Sequence, residues 1–306
     1  MSQQVIQCPK AQLDKIADYY RSKQTSPTPQ GALFRAKTAN CVITVYRSGK
    51  VLFQGAQPEA EASIWTDKNA AKTEKKQTTH KQMPKNFLTS NHSGSDEAGT
   101  GDYFGPITVA CAYVKQDQIP LLKEIGIQDS KKMTDTKIRL LAKQIAQLEI
   151  PYSLLILHNE RYNQLQQQGW TQGKMKTMLH HHTYLNLTQK INPSQSSGNL
   201  IDQFCKPEIY VKHLKTEGES LPEKTYFMTK AESYSIAVAT SSIIARTAFL
   251  TEMDKLSDKV GLELPKGASK KVDMAIAEII KRYGRNYLIN CAKVHFANTQ
   301  KANTYL

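Results

Sequence analysis

Residues 93–113 read SGSDEAGTGDYFGPITVACAY, and the order of groups is acid, bare backbone, strand. Asp96 and Glu97 stand side by side, Gly99-Thr100-Gly101-Asp102 follows, and beyond Gly105 apolar residues alternate at Ile107, Val109, Cys111 and Tyr113. Alternation with a period of two is the mark of a strand. Two adjacent carboxylates at a strand end can reach a hard divalent cation, and glycines beside them let a ligand come against main-chain N–H groups. Neighbouring side chains of an ideal strand point to opposite faces. For both acids to meet one metal cluster, the extended run must end or bulge at Asp96 and Glu97, and the downstream glycines supply a place for that break. A plainer reading is two solvated carboxylates ahead of a glycine turn.

The string SDEAGTGDYFGP resembles the opening active-site motif of the type 2 and type 3 ribonucleases H. Gly-Thr-Gly in place of Gly-Arg-Gly points to type 3, ribonuclease HIII. Further motifs carry the same resemblance. Asp129-Ser130-Lys131 matches an Asp-Ser-Lys element, Lys174-Met175-Lys176 with Leu179-His180 matches a helical motif, and Glu232 through Arg246 is similar to an acid followed by Ala-Ser-Ile-Ile-Ala-Arg. Lys293 to Ala302, KVHFANTQKA, resembles the C-terminal segment of type 3.

The resemblance implies a ribonuclease H-like α/β fold over residues 87–306, a mixed sheet flanked by helices. It implies four catalytic, metal-binding carboxylates at Asp96, Glu97, Asp202 and Glu232, serving two Mg2+ or Mn2+ ions in the reacting complex. Type 2 enzymes carry Asp at the fourth position, so Glu232 also points to type 3. These acids are spread over more than 130 residues. A sheet with its first and fourth strands adjacent would gather Asp96 and Asp202, with Glu97 and Glu232 at the rim. The implied activity is endonucleolytic hydrolysis of the RNA strand of RNA/DNA hybrids, leaving 3′-hydroxyl and 5′-phosphate ends. Gly99, Thr100 and Gly101 would sense the ribose 2′-hydroxyl through their backbone. Ser130, Lys131, Lys174, Lys176 and Arg246 are further substrate contacts by resemblance, and His180 is expected to face the same groove. Ser130 and Lys131 would equally suit an ordinary helix N-terminus, since Thr134 or Asp135 can cap the helix that runs to Leu148.

The totals agree with an enzyme that meets a polyanion. The chain has 41 Lys and Arg against 27 Asp and Glu, a net charge of +14. Residues 1–90 hold 14 of those basic residues and six acids, so more than half of the excess sits in under a third of the length. A hydrophobic content of 40% reads as globular. Apolar runs such as Ile107 to Val114 are far short of a membrane span, and MSQQVIQCPK lacks a signal-peptide layout. Five widely spaced cysteines without a CxxC motif suggest reduced thiols and a cytoplasmic location.

Working back from the motif, the lysine-rich residues 67–86 are expected to link two domains. Residues 1–66 read as a small α-β-β-β-α domain. Helices are expected at 9–21 and 58–65, with strands at 32–37, 40–47 and 50–54, the last two turning at Ser48-Gly49. In ribonuclease HIII such an extension resembles a repeat of TATA-box-binding protein and binds substrate. The candidate contacts are Arg35, Lys37, Arg47 and Lys50. Downstream, strands are expected at 152–157, 199–204 and 226–228, and helices at 159–168, 171–190, 235–256 and 269–282. His180, His181 and His182 invite a metal-site reading, but consecutive helical residues point in different directions and are not expected to chelate one ion together. His295 either packs in the core or assists product release.

Two other readings stay in view: a type 2-like enzyme that nicks at single ribonucleotides in duplex DNA, and a noncatalytic hybrid-binding protein. Thr100, Glu232 and the N-terminal extension disfavour the first. Intact carboxylates at all four positions disfavour the second. No membrane and no obligatory protein partner is implied.

Overall fold

The computed structural model describes residues 2–29, 31–65, 82–127 and 133–306. Most of the lysine-rich stretch, 66–81, thus lies outside the described residues. The chain divides into two compact units, Met1–Gln77 and Thr78–Leu306.

Among the described residues the first unit runs β1 (Ser2–Gln7), α1 (Lys10–Tyr19), β2 (Ala32–Lys37), β3 (Cys41–Tyr46), β4 (Lys50–Gly55) and α2 (Pro58–Ser63). Its antiparallel sheet has the order β1-β4-β3-β2. The expected α-β-β-β-α order is therefore corrected by one strand at the front. SQQVIQ lacks the alternation of a half-buried strand because β1 is an edge, pairing Val5 with Leu52 and Ile6 with Val51, and Val5 stays half exposed. The β3–β4 turn rests on Gly49, whose φ of +87° suits glycine. Leu13, Ile16 and Tyr20 cover Phe34, Ile43, Val45, Val51 and Phe53, so helices close one face of the sheet.

The second unit holds β5 (His92–Ala98), β6 (Ile107–Val114), β7 (Tyr152–Leu157), β8 (Asn199–Asp202) and β9 (Thr225–Met228). They form one mixed sheet of order β7-β6-β5-β8-β9. The three on the β7 side pair antiparallel, whereas β5, β8 and β9 run parallel. Its helices are α3 (Ile119–Glu124), α4 (Asp135–Gln147), α5 (Asn159–Gln167), α6 (Gln172–Thr188), α7 (Pro207–Thr216), α8 (Ile236–Val260), α9 (Lys270–Tyr283) and α10 (Asn298–Lys301). Met83 and Phe87 pack with Leu200 and Tyr226, so the second unit's core begins within the span expected to be linker.

The central strand β6 shows why the sheet is covered on both sides. Ala110, Ala112 and Val114 join the cluster around Ile243 and Phe249 of α8, while Ile107 and Val109 join Met175 of α6, and Cys111 and Tyr113 join Tyr184 and Leu187. Period-two alternation has become two buried faces. Each large aliphatic or phenylalanine side chain removed from water there contributes about 1.5–3 kcal/mol, and each alanine methyl less. By length and composition α8 could cross a membrane, unlike the apolar runs weighed from sequence, yet most of it is buried as the core helix. It comes against β5 because Gly94 has no side chain: a Cβ there would lie 2.4 Å from the Val238 nitrogen. The gap is bridged by Ser241, whose hydroxyl donates to Gly94 O at 2.7 Å and accepts from Ala112 N at 2.8 Å.

Candidate active site

β5 does not bulge at its acids. Pairing with β6 continues without a shift through Asp96↔Ala110, Glu97↔Val109 and Ala98↔Thr108. The expected break is corrected: the two carboxylates leave the strand on opposite sides, because the ladder is continuous and side chains alternate along it. Asp96 faces α8, where it accepts from Ser242. Glu97 faces α6, where it meets Lys176 and His180.

β8 runs beside β5 in parallel, and the last paired residues, Ser95 and Ile201, immediately precede Asp96 and Asp202. Two acids from distant sequence thus leave neighbouring strand ends together. Burial, then the charges of Glu97 and Asp202, push the Asp96 carboxyl well above the ordinary 3.8, and its bonds from Ser242 and the Glu97 amide only partly oppose this. Asp202 Oδ1 also accepts from Ala231 N at 2.9 Å. That bond fixes the short turn carrying Glu232, a buried acid between β9 and α8. Glu232 thus follows directly on a backbone group held by Asp202.

Glu97 has the opposite environment. Lys176 Nζ lies 2.7 Å from Oε1 and His180 Nε2 lies 2.9 Å from Oε2. Burial would raise this carboxyl, but His180 and Lys176 outweigh it and hold it at about 2. A carboxylate only accepts, so His180 Nε2 carries a proton toward Glu97, while Nδ1 lies 2.8 Å from Ser95 Oγ. Phe204 backs both partners, stacked on His180 at 5.1 Å and lying 4.0 Å from Lys176 Nζ. His180 is thus a buried partner of Glu97 rather than a residue lining an open groove, and Lys176 is already engaged.

A groove of about 360 Å3 opens on the α8 side, lined by Asp96 through Asp102, Met133, Ile138, Ser242 and Arg246. Arg246 lies 3.3 Å from Asp135 Oδ1, beside Lys266, which also pairs with Asp135. Gly99 has a φ of +86°, and a Cβ there would lie 2.2 Å from Pro106 O. A Cβ at Gly101 would meet nothing within 4 Å, so its backbone is open to a ligand. Lys174 pairs with Glu217 at 2.5 Å and sits over Trp170. Ser130 and Lys131 lie outside the described residues. Thr134 caps α4, its side chain accepting from Lys137 N.

In the first unit Arg35 and Lys37 alternate with the buried Phe34 and Ala36 and so share the face turned from the helices. Arg35 donates to Pro27 O at 3.2 Å, and Lys37, Arg47 and Lys50 are exposed. The histidine triplet separates: His180 turns to Glu97, whereas His181, His182 and Glu219 bring ligand atoms within 4.8 Å of one another. His295 stacks on Tyr162 at 5.6 Å.

Sequence reasoning missed Ser242 and the pairing of Glu97 with both Lys176 and His180. The second was readable, since positions 176 and 180 are one helical turn apart. Ser242 lies inside the Ser-Ile-Ile-Ala-Arg motif, but its partner is visible only once α8 docks on β5.

Asp96 fits a divalent cation on its own chemistry: a buried carboxylate, destabilised by the neighbouring charges of Glu97 and Asp202, gains when a hard cation sits among them. The profile of "Ribonuclease HII" matches residues 93–299, and that of "Domain of unknown function (DUF3378)" matches residues 3–78. A ribonuclease HIII of Oceanobacillus iheyensis is 55% identical over 100% of both chains. One of Bacillus licheniformis is 47% identical over 99% of this chain and 98% of its own. The crystal structure of Bst-RNase HIII in complex with Mn2+ superposes with a TM-score of 0.69 at 42% identity, covering 99% of this chain and 98% of the other. With carboxylates, glycine tripeptide and sheet order in place, the chain belongs to the ribonuclease HIII branch of the ribonuclease HII family.

Proposed function

We propose that this chain hydrolyses the RNA strand of RNA/DNA hybrids endonucleolytically, leaving 3′-hydroxyl and 5′-phosphate ends. The observation that carries the reading is Asp96, buried at a strand end among like charges and opening into a groove floored by the glycine tripeptide. Asp96, Glu97, Asp202 and Glu232 would hold two Mg2+ or Mn2+ ions, which would supply activation of the attacking water and charge compensation at the departing 3′ oxygen.

The chain's own groups do the rest. Ser242 and the Glu97 amide orient the Asp96 carboxylate, and the Ala231 amide orients Asp202. Lys176 and His180 keep Glu97 ionised. The open backbone at Gly101 lets a ribose approach main-chain N–H groups, and a 2′-hydroxyl can both give and receive there. Lys174, Lys176 and Arg246, with Ser130 and Lys131, are the proposed further contacts. Residues 1–66 are the proposed substrate-binding domain, through Arg35, Lys37, Arg47 and Lys50. Residues 67–86 are the linker and 87–306 the catalytic domain. The five cysteines are all unbridged thiols, which supports a cytoplasmic setting.

The test is gel-resolved cleavage, in Mg2+ or Mn2+, of an RNA/DNA hybrid, a DNA duplex with one ribonucleotide, and all-DNA. Several cuts in the hybrid with little at the single ribonucleotide are expected. Efficient nicking at the single ribonucleotide would favour the type 2-like alternative, and binding without cleavage would leave only a hybrid-binding protein.

A further inference from the structure

The loop that carries Gly99-Thr100-Gly101 is held by two side chains to which the sequence motifs gave no role of their own. Gln172, at the start of α6, donates through Nε2 to Thr100 O at 3.0 Å and to the Tyr162 hydroxyl at 3.1 Å. Lys293, in the C-terminal segment, is 0% exposed, and its Nζ donates to Asp102 O at 2.8 Å and Gly105 O at 2.6 Å. Asn159 Nδ2 takes the same Gly105 carbonyl at 2.9 Å.

The peptide group is planar, so fixing a carbonyl fixes the N–H across the bond. Gln172's hold on Thr100 O therefore sets the direction of the Gly101 N–H, at the position where a Cβ would meet nothing. The next anchor is clamped at both ends: Lys293 holds Asp102 O, and the Tyr103 N–H donates to Gly267 O at 2.9 Å. Lys293 N donates to Tyr103 O at 2.8 Å, adding a third tie to the same turn.

A buried lysine is costly to retain where an apolar residue of the same length could pack. Burial lowers its ammonium to about 7 against a partial opposing effect of Asp102. Even a neutral amine has two N–H bonds to give, one for each carbonyl it meets.

We propose that Gln172 and Lys293 are positioning residues, Gln172 aiming the Gly101 N–H at the substrate's 2′-hydroxyl and Lys293 fixing the turn that follows it, and that together they set the discrimination of ribose from deoxyribose. This rests on the reading of the tripeptide as the ribose sensor.

The test is a cycle of protein variant against substrate. Single-turnover cleavage is measured on hybrids whose RNA strand carries one 2′-fluoro sugar, stepped across the mapped cut, with full-length wild type, Gln172→Met and Lys293→Met. In wild type one position is expected to be strongly sensitive to the loss of the hydroxyl. Each variant should shrink that sensitivity by about tenfold, as coupling between contacting groups predicts, while thermal unfolding shows that the chain remains folded. Equal slowing on both substrates, with sensitivity intact, would overturn the proposal and leave only a structural role. If no position is sensitive in wild type, the ribose-sensor reading falls and the proposal with it. Gln172 is half-buried, so its variant carries the test if Lys293→Met does not fold.

Discussion

The two faces of β5 treat neighbouring acids in opposite ways. On the α8 side Asp96 sits buried among like charges, its carboxyl driven up by burial, Glu97 and Asp202. One residue on, Glu97 enters the α6 side and is held at about 2 by His180 and Lys176 despite its burial. The same backbone thus offers one carboxylate that gains from a cation and one whose ionised form Lys176 and His180 already support, and both line the same groove. The lesson is that an Asp-Glu pair on one strand meets two different sets of neighbours, while the charge of Glu97 still acts on Asp96.

Neutralising the α8 face should have the largest effect. Asp96→Asn and Asp202→Asn are each expected to lower hybrid cleavage by about a thousandfold, in the range seen when a preorganised charge group is lost. In metal-free buffer Asp96→Asn should unfold at the same temperature as wild type or higher, because it removes a like-charge conflict. A clear loss of stability would contradict the picture of that face.

The α6 face should respond in reverse. Glu97→Gln leaves the largely buried Lys176 ammonium without its counter-charge and His180 without its acceptor, so a loss of about 3 kcal/mol is expected in chemical unfolding. The sign follows from the depressed carboxyl. Its stabilisation is complete above the ordinary 4.5 and is lost as pH falls toward about 2. Acid unfolding of the metal-free protein should therefore lose that component in Glu97→Gln and keep it in Asp96→Asn.

The tripeptide sharpens the comparison further. Gly99→Ala meets both a left-handed φ and the Pro106 carbonyl, so it should cost about 2 kcal/mol or more in thermal unfolding. Gly101→Ala has open space and should stay within about 0.5 kcal/mol of wild type, yet slow cleavage by crowding the substrate. Equal losses of stability at the two glycines would break that division between fold and function. The smallest effects belong to the first unit. Lys37→Ala, Arg47→Ala and Lys50→Ala should each weaken hybrid binding modestly and reduce its salt slope by about one, measured by titration at several salt concentrations.

Much of this was legible in the sequence, and the failures have physical causes. The Ile107-to-Tyr113 alternation announced a strand, and the resemblance implied adjacent first and fourth strands to gather Asp96 and Asp202, which β5 and β8 are. β1 escaped notice because an edge strand with one solvated face needs little apolar content. The bulge expected at Asp96 and Glu97 followed from asking both acids to serve one cluster from the same face. The pleat instead places them on opposite sides of an unbroken ladder. His180 was expected in the groove by resemblance to the Leu-His motif, but it is buried against Glu97, and its one-turn spacing from Lys176 marked that shared face. Gln172, Ser242 and Lys293 could not be read, since each acts on backbone or side chains brought close only by tertiary packing.

The most direct test is Mn2+ titration of the full chain, followed calorimetrically and by electron paramagnetic resonance, comparing wild type with Asp96→Asn and Lys176→Met. The account predicts binding in wild type, its loss in Asp96→Asn, and binding at least as tight in Lys176→Met, where Glu97 is released from its ammonium partner. Undiminished Mn2+ binding in Asp96→Asn would contradict the assignment of Asp96 as a metal-holding carboxylate.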